Sequence, residues 1–183
     1  PFGSMLHKSD YIENGIPLIN PINLQGGKIV PDKRKAVGQE TQQRLQQYQV
    51  SCNDVVVARR GELGRCAVVT GSEDGWLCGT GSFFIRTSAR LNPNVLTWML
   101  RSSSGREKLA ELSGGAVMPN LSNKALSSMV VDVPPSEEQD DILVKISEMD
   151  SKISDVASRY SQKVSLLPQL KNASLAETFR VSD

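Results

Sequence analysis

Basic and amide side chains in this chain form groups that could bind an anion. These groups are Lys33, Arg34 and Lys35, then Gln42 and Arg44, then Arg59, Arg60 and Arg65, and finally Asn120. Arginine and lysine neutralise phosphates, arginine can bind guanine through two hydrogen bonds, and glutamine or asparagine can bind adenine in the same way. The residue types fit such contacts, and they fit solvated loops and turns without a ligand about equally well.

Groups that catalyse reactions are scarce. His7 is the only histidine, which argues against Ser/His/Asp and Cys/His triads and against most zinc catalysis. The glycines within residues 61–64 and 79–81 do not form a G-x-G-x-x-G phosphate-binding motif. Asp54 and Glu62 fit a metal-dependent nuclease centre, but a hairpin whose charges face water is the simpler interpretation. We therefore expect no catalytic residue, no metal and no cofactor.

Composition limits the class of protein. The 183 residues are 39% hydrophobic and 22% charged, which is typical of a soluble protein with one core and an appendage. No apolar run approaches a membrane span, no secretory leader is visible, and three cysteines without metal-ligand spacing favour reduced thiols in the cytoplasm. Residues 1–135 contain 15 basic and 11 acidic residues (net +4), whereas residues 136–183 contain 6 and 9 (net −3). This difference favours an anionic partner for the first part.

Short apolar runs separated by turns predict a strand-rich first part. The predicted strands are 16–19, 28–30, 54–59, 66–70, 82–86 and 130–133, and the predicted helices are 93–100, 106–112 and 122–126. Residues 31–49 are polar and fit either a loop or a short helix. The result is an α+β domain over residues 10–135. Residues 1–9 are interpreted as a cloning remnant before Met5 followed by a flexible N-terminus.

A long helix is predicted from Ser136 almost to the end of the chain. Pro134 and Pro135 prevent a helix from passing through them, so the helix begins abruptly. Ser136 and Gln139 have the spacing of a capping box, and acidic residues follow where the helix dipole favours negative charge. Pro168 is expected to kink or interrupt the helix near residues 164–168.

Apolar residues along this helix follow the pattern of a coiled-coil seam. They are Ile142, Ile146, Met149, Ile153, Val156, Tyr160, Val164 and Leu167, and the steps alternate between four and three except near Val164. A seam of this length requires a partner helix. The alternative is a helix that folds back on its own domain.

Four stretches resemble one known family, the specificity (S) subunits of Type I restriction–modification systems. They are residues 15–19 with 27–29, residues 53–61 with 64–65, residues 115–122, and residues 134–142 with the helix that ends at Phe179. Each motif alone is weak, but their order and spacing cover nearly the whole chain.

The resemblance implies a target recognition domain followed by a spacer helix, with the helix over residues 136–183. In this family each domain reads one half of a split double-stranded DNA site, and two spacer helices pair antiparallel. The subunit has no catalysis of its own. It docks modification (methyltransferase) subunits, and it directs the restriction subunits through the complex. On this basis the basic and amide residues named above become the predicted DNA contacts, with Gln42 and Asn120 as the candidates for base reading.

The chain differs from the family pattern because it has one recognition domain and one helix. It is expected to be either a fragment of a longer subunit or a half-subunit that pairs with itself as a homodimer. The glycine that often follows the terminal phenylalanine of the family is missing after Phe179. The alternative function is a coiled-coil interaction scaffold that does not bind DNA.

Overall fold

The computed structural model describes residues 5–114 and 119–178, which divide into two units between Gln139 and Asp140. The strands are β1 (Tyr11–Ile12), β2 (Ile16–Ile19), β3 (Leu24–Gln25), β4 (Lys28–Ile29), β5 (Ala36–Val37), β6 (Val55–Ala58), β7 (Cys66–Val68), β8 (Leu77–Cys78) and β9 (Ser82–Ile85). The α-helices are α1 (Gln39–Arg44), α2 (Pro93–Arg101), α3 (Ser103–Leu112), α4 (Asn123–Ser127) and α5 (Ser136–Thr178). The predicted α+β fold with a long C-terminal helix is confirmed.

The central sheet is antiparallel, in the order β7-β6-β9. All four residues of β6 are buried, because both faces of the strand are covered. Val55 and Val57 pack into a core with Leu96 and Leu100 of α2. Val56 belongs to a second core on the other face. This buried strand anchors the turn that follows it.

A second sheet has the order β1-β5-β2-β8, and β2 pairs parallel with β8. Strands β1, β5 and β8 have only two residues each and were not predicted from the sequence. The turn at Gly26 and Gly27 joins β3 to β4, which form a separate hairpin. Both glycines have positive φ values, of 59° and 85°, as the tight turn requires.

Two helices begin as the sequence predicts. The Asn92 side chain accepts a hydrogen bond from Asn94 N at the start of α2, and Ser122 accepts one from Ala125 N at the start of α4. Helix α3 begins at Ser103, three residues before the predicted start, because Ser102 caps it. Gly105 is buried where α2 and α3 meet, and a Cβ atom there would overlap Met99 O. The close approach of these two helices therefore requires glycine.

The predicted strand at residues 130–133 is wrong. These residues form neither strand nor helix, and Val130 is 77% exposed. A β-branched run favours extended backbone, but a strand also needs a partner, and none of the described strands pairs with this segment.

Helix α5 begins at Ser136, as predicted, but the predicted capping box is wrong. The side chain of Gln139 is buried and accepts a hydrogen bond from Asn92 N at 2.7 Å. It also donates to Arg90 O and Pro134 O, at 2.9 and 2.8 Å. Gln139 thus joins the start of α5 to the start of α2.

Pro168 does not interrupt α5, which is one continuous helix from Ser136 to Thr178 with Pro168 inside it, whereas the kink there stays a prediction. The loss of one backbone hydrogen bond is tolerated where the flanking turns remain helical. Within the described ranges no helix is both long and apolar enough to pass through a membrane.

Candidate nucleic-acid interface

The turn between β6 and β7, residues 59–65, carries the basic cluster that the sequence singles out. Its base is closed by a hydrogen bond of 2.8 Å from Ala58 N to Arg65 O. Gly61 and Gly64 have φ values of 73° and 86°, which side chains rarely adopt. The turn is therefore held by its backbone at the end of a buried strand, which fixes the positions of its arginines.

Arg60 and Asn120 are 60 residues apart in sequence but adjacent in the fold. Their backbones form an isolated antiparallel bridge, and Arg60 Nε lies 3.4 Å from Asn120 Oδ1. Both residues are exposed. The terminal guanidinium nitrogens of Arg60 and the amide nitrogen of Asn120 have no protein partner among the described residues. This pair presents hydrogen-bond donors of the kind that read base edges.

Arg59 is oriented towards the protein. Its Nε donates to Leu121 O at 3.1 Å, and its guanidinium lies 5.0 Å from the centre of the Phe83 ring. Its backbone also bonds Leu121 N and Gly81 O. Burial and the neighbouring charge of Arg60 lower the pKa of the Arg59 guanidinium. Arg59 thus attaches the segment that carries Asn120 to the end of β6.

Arg65 lies at the other end of the same turn. Its Nε donates to a carboxylate oxygen of Glu62 at 2.8 Å, and both side chains are exposed. An exposed pair of this kind contributes about 0–1 kcal/mol to stability. Arg65 can therefore exchange Glu62 for another anion at little cost.

The predicted cluster at residues 33–35 lies in the loop before β5, and all three side chains are exposed. Arg34 binds Asp32 through Nε at 3.1 Å, and this contact lowers the pKa of the Asp32 carboxyl group. Lys33 and Lys35 have no side-chain partner among the described residues. This loop and the β6–β7 turn are not joined by any described hydrogen bond or ion pair.

Gln42 and Arg44 of α1 are engaged within the protein. Gln42 Nε2 donates to Gly75 O at 2.7 Å, and Arg44 lies 3.2 Å from Asp10 Oδ2. A backbone hydrogen bond from His7 and then the charge of Arg44 lower the pKa of Asp10. Base reading by Gln42 stays a prediction, for which its amide oxygen and one N–H group are left.

The interpretation in which the hairpin charges all face water is wrong for Asp54. This carboxylate is only 3% exposed, accepts from Ser51 N at 2.8 Å and pairs with Arg86 Nε at 3.2 Å. Glu62 instead binds Arg65, so the two acidic residues do not share a partner. Within the described residues no three His, Cys, Asp or Glu side chains are grouped as metal ligands.

Sequence reasoning did not single out Arg101 and Arg106, which line a groove together with Arg65. The guanidinium of Arg101 lies 4.6 Å from the centre of the Trp98 ring. The signal that could have found Arg101 is its spacing of three residues from Trp98, which places both on one face once the helix extends to residue 101.

The predicted seam of α5 is exposed over most of its length. The side chains of Met149, Ile153, Val156, Tyr160, Val164 and Leu167 are each between 52% and 66% exposed. Ile142 and Ile146 are half-buried. The exposed residues form an apolar stripe far larger than the scattered apolar side chains of an ordinary surface helix.

Comparisons with known proteins agree with this architecture. Specificity subunits of two Type I restriction enzymes, StySPI from Salmonella potsdam and EcoKI from Escherichia coli K12, are each 26% identical to this chain. The matches cover 88% and 92% of the chain but only 35% and 36% of the relatives. The chain therefore spans about a third of the length of the curated relatives it matches.

Solved structures match the fold. The HsdS subunit from Thermoanaerobacter tengcongensis has a TM-score of 0.71 at 21% identity, over 95% of this chain and 47% of that one. A chain from a structure on complex assembly and conformational transition of the type I R-M system has a TM-score of 0.69 at 20% identity, over 92% and 44%.

A family model provides the assignment, since it extends over most of the chain. The model of the Type I restriction modification DNA specificity domain matches residues 3–164. The motif residues 115–118 and the tail from Phe179 lie outside the described residues, but strand β6, its turn and most of α5 fall within both the matched and the described ranges. The chain belongs to the family of Type I restriction modification DNA specificity domains.

Proposed function

We propose that this chain is the sequence-specific DNA-recognition part of a Type I restriction–modification complex and reads one half of a split site. The observation that supports this most directly is the Arg60–Asn120 pair, which presents guanidinium and amide donors on a turn anchored by a buried strand. Such donors distinguish guanine and adenine in the major groove. A turn held by its backbone keeps them in register with the bases.

Phosphate contacts position the half-site. The exposed cations Lys33, Arg34, Lys35 and Arg65 are the candidates, while Arg44 has Asp10 as an internal partner. Contacts to phosphates fix register and orientation but carry little sequence information. Specificity is therefore assigned to Arg60 and Asn120, with Gln42 as a further candidate.

The apolar stripe of α5 pairs antiparallel with a second spacer helix. That helix comes from a second copy of this chain or from the rest of a longer subunit. The paired helices set the distance between two half-sites and dock methyltransferase subunits, through which the restriction subunit is directed. The complex acts on DNA in the cytoplasm, and this chain contributes recognition without catalysis.

The experiment is a salt titration of binding to duplex DNA, read by fluorescence anisotropy. Phosphate contacts by the four exposed cations Lys33, Arg34, Lys35 and Arg65 give a slope of log affinity against log salt of about −3.6. Arg60→Ala should weaken binding by about tenfold, in keeping with one base contact. Arg90→Ala is the matched control, because Arg90 is exposed but belongs to the loop before α2.

A chain that binds no duplex in a salt-dependent way, even at 50 mM salt, would contradict the proposal. If such a chain still self-associated, the scaffold function without DNA binding would be favoured instead. If Arg60→Ala and Arg90→Ala weakened duplex binding equally, the β6–β7 turn would not contain the base-reading residue.

A further inference from the structure

A groove of about 660 Å³ lies among the β3–β4 turn, the β6–β7 turn and helices α2 and α3. Its charged lining consists of Arg65, Arg101, Arg106 and Glu62. Three arginines and one glutamate leave two positive charges. We call this site the arginine groove, defined by its three arginines.

Two of the three positive charges of the arginine groove are not neutralised by any residue that the structure describes. Glu62 is already bound to Arg65 at 2.8 Å. In the described part of the chain, the guanidinium groups of Arg101 and Arg106 donate no hydrogen bond and form no ion pair. Arg101 is also half-buried. A half-buried cation without a counter-ion is costly, so the site favours an anion from outside.

Arg101 is held in place before any ligand binds. Its guanidinium lies 4.6 Å from the centre of the Trp98 ring, which restricts the side chain and attracts its charge. The guanidinium also lies close to Gly27. A Cβ atom on Gly27 would overlap Nη1 of Arg101. The turn glycine therefore makes room for the arginine head group.

Arg106 is placed by the same kind of contact. Its aliphatic stem lies over Gly64, and a Cβ atom on Gly64 would overlap Arg106 Cγ. Gly64 has a φ of 86° and is buried in the β6–β7 turn. Two turn glycines thus each accommodate one arginine, and both arginines face one groove.

The arginine groove and the Arg60–Asn120 pair share the β6–β7 turn. Arg65 closes the base of the β6–β7 turn, and Arg60 of the same turn meets Asn120. A DNA strand read by Arg60 and Asn120 can therefore extend along the turn into the groove. The planar guanidinium groups of arginine match the geometry of phosphate oxygens.

We propose that the arginine groove binds phosphodiester groups of the DNA backbone through Arg65, Arg101 and Arg106. This inference rests on the proposed DNA recognition and adds two residues that the sequence did not indicate. The groove positions the strand whose bases meet Arg60 and Asn120.

The test measures duplex binding against salt for Arg101→Met and Arg106→Met, which keep an aliphatic side chain and remove the charge. Each should reduce the salt slope by about 0.9, the value for one phosphate. Each should weaken binding similarly for all duplex sequences. Arg101→Lys should retain most of the slope. Arg90→Ala is the control and should leave the slope unchanged.

Several results separate this inference from the proposed function. Wild-type binding with a steep slope that neither methionine variant changes would overturn the groove and leave DNA recognition intact. A methionine variant that loses sequence preference without a change in its salt slope would also overturn the groove proposal, because that result indicates a base contact rather than a phosphate contact. Saturable binding of free dAMP that Arg101→Met abolishes, with duplex binding unaffected, would assign the groove to a mononucleotide instead. A wild-type chain that does not bind duplex DNA would contradict both the proposed DNA recognition and the groove proposal.

Discussion

Arg59 and Arg60 are neighbours in sequence, but their side chains have different environments. Arg59 donates to Leu121 O and stacks on Phe83, whereas Arg60 is exposed beside Asn120. Charge alone does not separate them. The two differ because successive side chains along an extended backbone point to opposite faces, so that Arg59 points inwards and Arg60 outwards.

Arg59→Ala should lower the free energy of unfolding by about 1–3 kcal/mol, since it removes a charged hydrogen bond and a ring contact. Arg60→Ala should change it by less than about 0.5 kcal/mol. Urea unfolding followed by circular dichroism measures both. Equal stability of the two variants would contradict the structural role of Arg59.

The sequence predicted which residue types cluster but not their partners. A turn was predicted at residues 60–65, because its glycines and the flanking valines are a local signal. The contact between Arg60 and Asn120 joins residues far apart in the chain, so no local pattern contains it. The burial of Asp54 against Arg86 was missed for the same reason.

At the scale of elements, some helix starts are stabilised by a neighbouring residue and others by a residue far away in the sequence. Asn92 and Ser122 bond backbone N–H groups two or three residues away, so their roles could be read from the sequence. Gln139 has the spacing of a capping box, yet its amide binds Asn92 N, 47 residues earlier. A buried amide with three partners satisfies polar groups from two helix starts at once.

Gln139→Ala should destabilise residues 5–139 by about 2–4 kcal/mol, because it removes three hydrogen bonds and leaves buried polar groups unpaired. Glu138→Ala is the matched control, since this neighbour is exposed. Thermal unfolding monitored by tryptophan fluorescence measures the difference, because both tryptophans lie within this unit. Equal melting temperatures for the two variants would show that the Gln139 contacts contribute little.

The shortest strands could not be predicted from the sequence. Strands β1, β5 and β8 have two residues each, which is too few to show a period. Residues 130–133 have the composition of a strand but pair with none of the described strands. Strands of three or four residues with buried valines or phenylalanines, such as β6 and β9, were predicted because their apolar runs are continuous.

At the scale of the whole molecule, the apolar stripe on α5 is the surface to which we assign pairing with a second helix. The chain spans about a third of its curated relatives and slightly under half of the matched HsdS chain. The heptad-like spacing is local and could be predicted, but it does not specify what covers the stripe.

Ile153→Asp should shift the chain from dimer to monomer in sedimentation velocity, because a carboxylate in the seam cannot be buried without a partner. Ser154→Asp adds the same charge one position along the helix, away from the predicted seam, and should leave the dimer intact. Circular dichroism of both variants should show a folded recognition domain. Dimers that persist with Ile153→Asp would place the pairing surface elsewhere.

The most direct test of DNA recognition is selection of duplexes from a randomised library by the purified chain at low salt. Two copies paired antiparallel through α5 are related by a two-fold axis, so the account predicts enrichment of an inverted repeat with fixed spacing. Ile153→Asp should enrich only single half-sites, and Asn120→Ala should relax one base position within them. A pool with no enriched sequence, obtained under conditions where the chain binds duplex, would contradict sequence-specific recognition by this protein.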